Sequence, residues 1–342
     1  KDKVEMSNLC QEITLPTKPL QHIDDTDGEI ALCILSAVNV GKLKSNDELE
    51  SLCDLSVRGL EELIDYQKYP VIAAEVATKA RRSLGVGFIG LAHYLAKLGF
   101  NYDSQEAWDA VHGLSEAFQY YLLKASNQLA KEKGHCEYFG RTKYADGILP
   151  IDTYKKDVDE ISSVQLQHDW ETLRASILEH GLRHSTLSAQ MPSESSSVVS
   201  NATNGIEAPR SYVSIKQSKH GVLKQVVPEF ERLKGAYELL WDQKSPEGYL
   251  KICSVLQKYI DQGISINTSY NPTYYPDEKI PMSEMIQHLL LAYKYGNKQL
   301  YYFNTFDGQG EIDVAAMNKI EKAPETINVL GDAEADCDSC VI

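Results

Sequence analysis

The chain has 342 residues, 43% hydrophobic and 24% charged, the composition of a folded globular protein. Its 34 Lys and Arg against 49 Asp and Glu leave a formal net charge of −15. A surface that acidic repels phosphate backbones and anionic lipid, which excludes nucleic acid and membrane as partners but allows a nucleotide in one local site.

No apolar run approaches the roughly 20 residues needed to cross a bilayer. The opening KDKVEMSNLC carries no signal-peptide pattern, and the chain is expected to begin inside a longer polypeptide. Its seven cysteines, at 10, 33, 53, 136, 253, 337 and 340, are odd in number and scattered. That pattern points to reduced thiols in the cytoplasm, not to a disulfide framework. No metal site is expected, because the one CxxC, Cys337 and Cys340, has no second pair.

In chain order, residues 30–38 form a short β-like piece. Ser45 and Glu48 have capping-box spacing ahead of a helical stripe of Leu49, Leu52, Leu60, Leu63 and Ile64. A second amphipathic stretch covers residues 73–97, broken by Gly85, Gly87 and Gly90, and a third covers 104–131. Helices are expected at 169–180, 228–241, 249–262 and 283–295, with β-like pieces at 186–190, 264–268 and 299–303. Short strands separated by helical segments predict βα units and a parallel sheet. From Phe306 onward nine acidic residues face two lysines, a net −7, and apolar residues are sparse, so 306–342 reads as a mobile acidic tail.

Several groupings bear on chemistry. Cys337 and Cys340 sit at the end of that tail, either as an incidental exposed pair or as a dithiol that swings to exchange disulfides elsewhere. The 31 residues from Phe306 to Cys337 give a flexible arm a span of roughly 30 Å. Asn8, Cys10 and Glu12 share one side of an extended segment by period 2, a site or a chance loop grouping. Cys33 lies in an apolar stretch and reads by default as a buried thiol, and Cys53, Cys136 and Cys253 read as packing. Pro192, Ser193, Glu194, Ser195 and Ser196 follow a predicted strand, where a Ser-rich turn either caps a helix or holds phosphate. Tyr301 and Tyr302 are adjacent, so their rings stack only at a strand end or bend; otherwise they belong to a core or edge strand.

The ordered set SNLCQEI, ALC, MPSESSS, SNATNGIE with PR, LYY and a terminal Cys pair closely resembles the large subunit of class Ia ribonucleoside-diphosphate reductases, in its C-terminal half. Similar stretches at 118–134 and 147–157 extend the likeness over nearly the whole chain. The resemblance implies an α/β fold, the second, five-stranded half of a ten-stranded barrel. Its parts would be a radical-cysteine loop (1–20), a half-barrel (21–305) and the tail (306–342).

It implies that Cys10 becomes a thiyl radical, that Glu12 takes the 3′-OH proton and that Asn8 orients substrate. Cys33 would supply half of the reducing dithiol. Asn8, Leu9, Cys10, Gln11 and Glu12 would contact substrate, with Pro192, Ser193, Glu194, Ser195 and Ser196 holding its diphosphate. Tyr301 and Tyr302 would pass the radical to Cys10. Cys337 and Cys340 would re-reduce the site, themselves reduced by thioredoxin or glutaredoxin.

No cofactor is expected in the chain itself, the radical coming from a small subunit with a metal centre. The family's second reducing cysteine lies in the N-terminal half of the subunit, so a separate chain supplying that half is expected as a partner. The different-class alternative is a nonenzymatic module whose tail dithiol binds thioredoxin-like proteins. Asn8, Glu12, Tyr301 and Tyr302 weigh against it, since a thiol carrier needs none of them.

Overall fold

The structure is a computed structural model that describes residues 1–45, 47–218 and 221–308. The tail cysteines Cys337 and Cys340 lie outside these residues. Within them the elements run β1 (Ile34–Asn39), α1 (Glu48–Tyr66), α2 (Ile72–Arg81), β2 (Leu84–Ile89), α3 (Leu91–Leu98), α4 (Gln105–Lys133), α5 (Pro150–Thr153) and α6 (Trp170–His180). They continue α7 (Glu194–Val199), β3 (Val213–Ser218), β4 (Gly221–Val226), α8 (Phe230–Leu233), α9 (Glu247–Gln257), β5 (Thr268–Tyr270), α10 (Met282–Lys294) and β6 (Phe303–Thr305).

Five parallel segments succeed one another in chain order. β1 pairs with β2, Ile34 opposite Leu84. Residues 186–190 add to β2 through the Leu84 N–H to Thr186 O and Val86 N–H to Leu187 O bonds and the parallel Val86–Ser188 bridge. A parallel bridge from Gln190 to Ile264 brings in the run leading to β5, and β5 pairs in parallel with β6. This is the order of an α/β half-barrel with helical crossovers. It stays open: among the described residues no pairing joins β1 to β6. The antiparallel β3–β4 hairpin is separate from it.

The core lies between this sheet and its helices. α1 buries Leu49, Cys53, Val57, Leu60 and Ile64, the 3–4 spacing of one helix face, and packs on α4, whose Phe118 ring lies 4.4 Å from that of Phe88 on β2. α4 starts at Ser104, whose side chain accepts the Ala107 N–H, and α6 starts at Asp169, which accepts from Thr172; both are ordinary N-caps. Cys53, Cys136 and Cys253 are buried.

Four local expectations differ. The stretch 73–97 is not one broken helix but α2, a strand and α3, because Leu-Gly-Val-Gly-Phe-Ile is buried on both faces and such a run has no helical period to distinguish it. The Ser45–Glu48 capping box does not form; the Glu48 carboxylate accepts the Lys44 N–H instead, and α1 has no side-chain cap. Residues 228–241 hold only the one-turn α8 and a 3-10 turn, with Glu229 at positive φ, 52°, breaking the run. The helix expected to reach 262 stops at Gln257, and residues 261–265 enter the sheet region. No helix of the described residues is long and apolar enough to cross a membrane.

Candidate active site

The site is built where residues 8–14 run against residues 261–266. The loop is a tight turn: Gln11 N–H donates to Asn8 O (3.1 Å), and Ile13 N–H donates to Asn8 Oδ1 (3.0 Å). Gln11 has φ 66°, so the extended segment with Asn8, Cys10 and Glu12 on one side is not what forms; Asn8 braces the turn. Leu9 is exposed.

The loop is bonded to the sheet by Gly263 N–H to Glu12 O at 2.7 Å and by Thr14 N–H to Gln262 Oε1 at 3.2 Å, besides the Ser265 hydroxyl. Glycine at 263 lets the loop pass closely, because a Cβ there would lie 2.7 Å from Gln11 O and 2.3 Å from Gln299 Nε2.

Glu12 is only 3% exposed. The Ser265 hydroxyl lies between two acceptors, Glu12 Oε2 at 3.0 Å and Cys10 O at 2.5 Å, so one proton orients both the carboxylate and the cysteine backbone.

Cys10 Sγ is 3.5 Å from Tyr301 Oη, which donates to it. The Tyr301 and Tyr302 rings lie 3.9 Å apart at 32°. Adjacent residues reach that arrangement because they precede β6 at its start, the strand-end condition. Ile266 O accepts the Tyr301 N–H, and Asn267 Oδ1 accepts the Tyr302 N–H while its Nδ2 donates to Glu207. Tyr302 is 53% exposed, so the pair runs from the surface to the thiol. The Cys10 thiol, the Tyr302 hydroxyl and desolvation together push the Tyr301 pKa up, keeping its O–H intact.

Cys33, half-buried just before β1, accepts from Gln262 Nε2 at 3.3 Å. Burial pushes its pKa up to about 12, the Gln262 bond opposes this and the Glu12 charge adds to it. At neutral pH it is a protonated thiol with a hydrogen to give. Glu12 therefore shares the Ser265 hydroxyl with the Cys10 backbone and acts through its charge on Cys33.

The serine segment reaches the same place by the sheet. Gln190 N–H donates to Gly263 O and Gln190 O accepts from Ser265 N–H, two of the residues bonded to the cysteine loop. Residues 191–193 leave the sheet from there. Ser193 is buried, its N–H bonded to Asn204 Oδ1 (3.1 Å) and its Oγ to Met191 O (3.2 Å). Pro192, Glu194, Ser195 and Ser196 are exposed, and the first-turn N–H groups of α7 have no acceptor within the helix.

Gln262 and Ser265 went unread in the sequence. Their residue types carry no motif, and their partners lie 229 and 253 residues away.

An open parallel α/β sheet with a cysteine loop lying across it is the arrangement of an α/β half-barrel. The model of the family "Ribonucleotide reductase, barrel domain" matches residues 1–236 and 231–303, and the chain belongs to that family. It is 60% identical over 309 residues to the ribonucleoside-diphosphate reductase subunit alpha of Haemophilus influenzae, covering 90% of this chain and 41% of that protein. It is 58% identical to the ribonucleoside-diphosphate reductase 1 subunit alpha of Escherichia coli, covering 89% and 40%. To the subunit alpha of Enterobacteria phage T4 it is 45% identical, covering 92% and 41%. The chain thus spans about two fifths of the length of the relatives it matches.

Proposed function

We propose that the chain is the catalytic part of a ribonucleoside-diphosphate reductase, converting ribonucleoside diphosphates to 2′-deoxyribonucleoside diphosphates by thiyl-radical chemistry. A small subunit with a metal centre supplies the oxidising equivalent. The observation that carries the reading is the unbroken line from Tyr302 through Tyr301 to Cys10, with 3.9 Å between rings and 3.5 Å from hydroxyl to sulfur.

A tyrosyl radical at Tyr301 takes the hydrogen atom of the Cys10 thiol across that contact. The Cys10 thiyl then abstracts the ribose 3′ hydrogen. Glu12, held by Ser265, accepts the 3′-OH proton, and the 2′-OH leaves as water. Cys33 and a second thiol, from a chain supplying the N-terminal half, provide two electrons and close to a disulfide. Cys10 returns its hydrogen to the 3′ carbon.

Pro192, Ser193, Glu194, Ser195 and Ser196 hold the diphosphate, favoured by the exposed hydroxyls of a segment that follows Gln190, which is bonded to Gly263 and Ser265. Asn8, Leu9 and Gln11 border the sugar. Cys337 and Cys340 reduce the disulfide by exchange and are re-reduced by thioredoxin or glutaredoxin.

The test mixes this chain with a matching N-terminal-half chain, small subunit, dithiol reductant and a ribonucleoside diphosphate. Deoxynucleotide is expected from the full mixture, none from this chain alone and none with Cys10→Ser. Failure of the full mixture, or turnover by Cys10→Ser, overturns the reading.

A further inference from the structure

We propose that Gln262 is a positioning residue that ties the Cys33 thiol to the Cys10–Glu12 loop and favours loss of the Cys33 proton as the dithiol is oxidised. The inference rests on the reductase reading and deepens it. Gln262 is 0% exposed. Its Nε2 donates to Cys33 Sγ (3.3 Å) and to Leu84 O (3.0 Å), and its Oε1 accepts the Thr14 N–H (3.2 Å). Both amide protons and the carbonyl are engaged, which fixes which way the amide points.

The backbone is pinned as well. Gln262 N–H donates to Ser188 O at 3.1 Å, and its carbonyl accepts from Gln257 Nε2 and Lys298 Nζ. One buried side chain therefore joins the start of β1, the start of β2 and the radical loop.

The surroundings of Cys33 otherwise resist ionisation. Glu12 is the charged group that faces it, and burial acts in the same direction. β2 offers the Leu84 carbonyl and Gly85, whose added Cβ would lie 2.9 Å from Cys33 Sγ. The Gln262 N–H is the group that opposes them.

The chemistry needs that opposition. Two thiols become one disulfide with release of two protons and two electrons, which convert the 2′ C–OH to C–H and water. As the sulfur loses its proton, an N–H already aimed at it stabilises the developing anion without rearrangement. The same amide, through Thr14, keeps the loop in register with the thiol it must act beside.

The test is the rate of iodoacetamide alkylation at Cys33, read by peptide mass spectrometry across pH 7–10 in the full chain. The reagent captures thiolate. The isosteric Gln262→Glu keeps the packing and puts a carboxyl where the donor was; a hydrogen bond to a charged group is worth about one pKa unit or more, so Cys33 alkylation is expected to fall at least tenfold at each pH. Gln262→Met, neutral and donorless, is expected to fall about tenfold. Buried Cys253 in the same digest reports unfolding and stays unreacted in a folded variant.

Equal or faster reaction at Cys33 with Cys253 protected, in whichever variant folds, overturns the assignment. The measurement needs no turnover. If the wild-type mixture makes no deoxynucleotide while the alkylation difference persists, the reductase reading fails and the link between Gln262 and Cys33 stands.

Discussion

Gly263→Ala adds one methyl group where the Cys10 loop crosses the sheet. The new Cβ would sit 2.7 Å from Gln11 O and 3.1 Å from Glu12 O, where ordinary contact begins at 3.4 Å. Gln299 can swing away, but the loop backbone has to retreat by about 0.7 Å. That retreat stretches the 2.7 Å Gly263–Glu12 bond and moves Cys10 relative to Tyr301. Overpacking of this kind costs about 1–3 kcal/mol, so the chain should still fold. The reacting groups are less forgiving, since a misplacement near 1 Å can cost about a hundredfold in rate.

The expected result is a ten- to hundredfold loss of deoxynucleotide formation in the reconstituted mixture, with KM for the diphosphate little changed. Thermal denaturation of the same sample should drop by only a few degrees, as befits a large chain. Full activity in Gly263→Ala would refute the reasoning, because it would mean that the close passage of the loop over Gly263 has no bearing on the chemistry.

Tyr301→Phe removes the O–H that meets Cys10 while keeping the ring stacked on Tyr302. Turnover should vanish with stability within about 1 kcal/mol of wild type, measured by product formation and urea denaturation. Phe118→Ala empties the contact between α4 and β2 and should lower unfolding free energy by about 3–5 kcal/mol; a loss below about 1 kcal/mol would contradict the packing described.

Glu61 is buried, which alone would raise its pKa, yet hydrogen bonds from His184, Arg82 and Arg183 outweigh burial and hold it below the ordinary value of 4.5. A depressed folded pKa gives stability that is complete above the ordinary value and is lost as pH falls toward the folded one. Denaturation midpoints should therefore decline below about pH 4.5, and Glu61→Gln should flatten that decline.

Much of this was legible in the sequence because it depends on local signals. The helix starts at Ser104 and Asp169 follow from capping chemistry, and α1 follows from its apolar stripe. Four of the five parallel segments overlap β-like pieces expected at 30–38, 186–190, 264–268 and 299–303, but β2 is not among them. Gly85 and Gly87 misled, since in a doubly buried strand they read as breaks in a helix. The β3–β4 hairpin went unread altogether.

At the site, the cysteines, Glu12 and the tyrosine pair stood out as residue types, and the resemblance gave their roles. The turn at Gln11 did not stand out, because a residue other than glycine at positive φ leaves no mark in the sequence. Gln262 and Ser265 were invisible for a different reason: a glutamine and a serine become site residues only when the sheet carries them to partners more than 200 positions away.

The most direct test of the central claim, that Cys10 takes the ribose 3′ hydrogen, is a competitive isotope effect on kcat/KM. The reconstituted enzyme is given a mixture of ordinary and 3′-deuterated ribonucleoside diphosphate, and the isotopic ratio of the remaining substrate is followed by mass spectrometry. Enrichment of the deuterated substrate is expected as the reaction proceeds, lost altogether with Cys10→Ser because nothing turns over. Turnover with an unchanged isotopic ratio would contradict the claim.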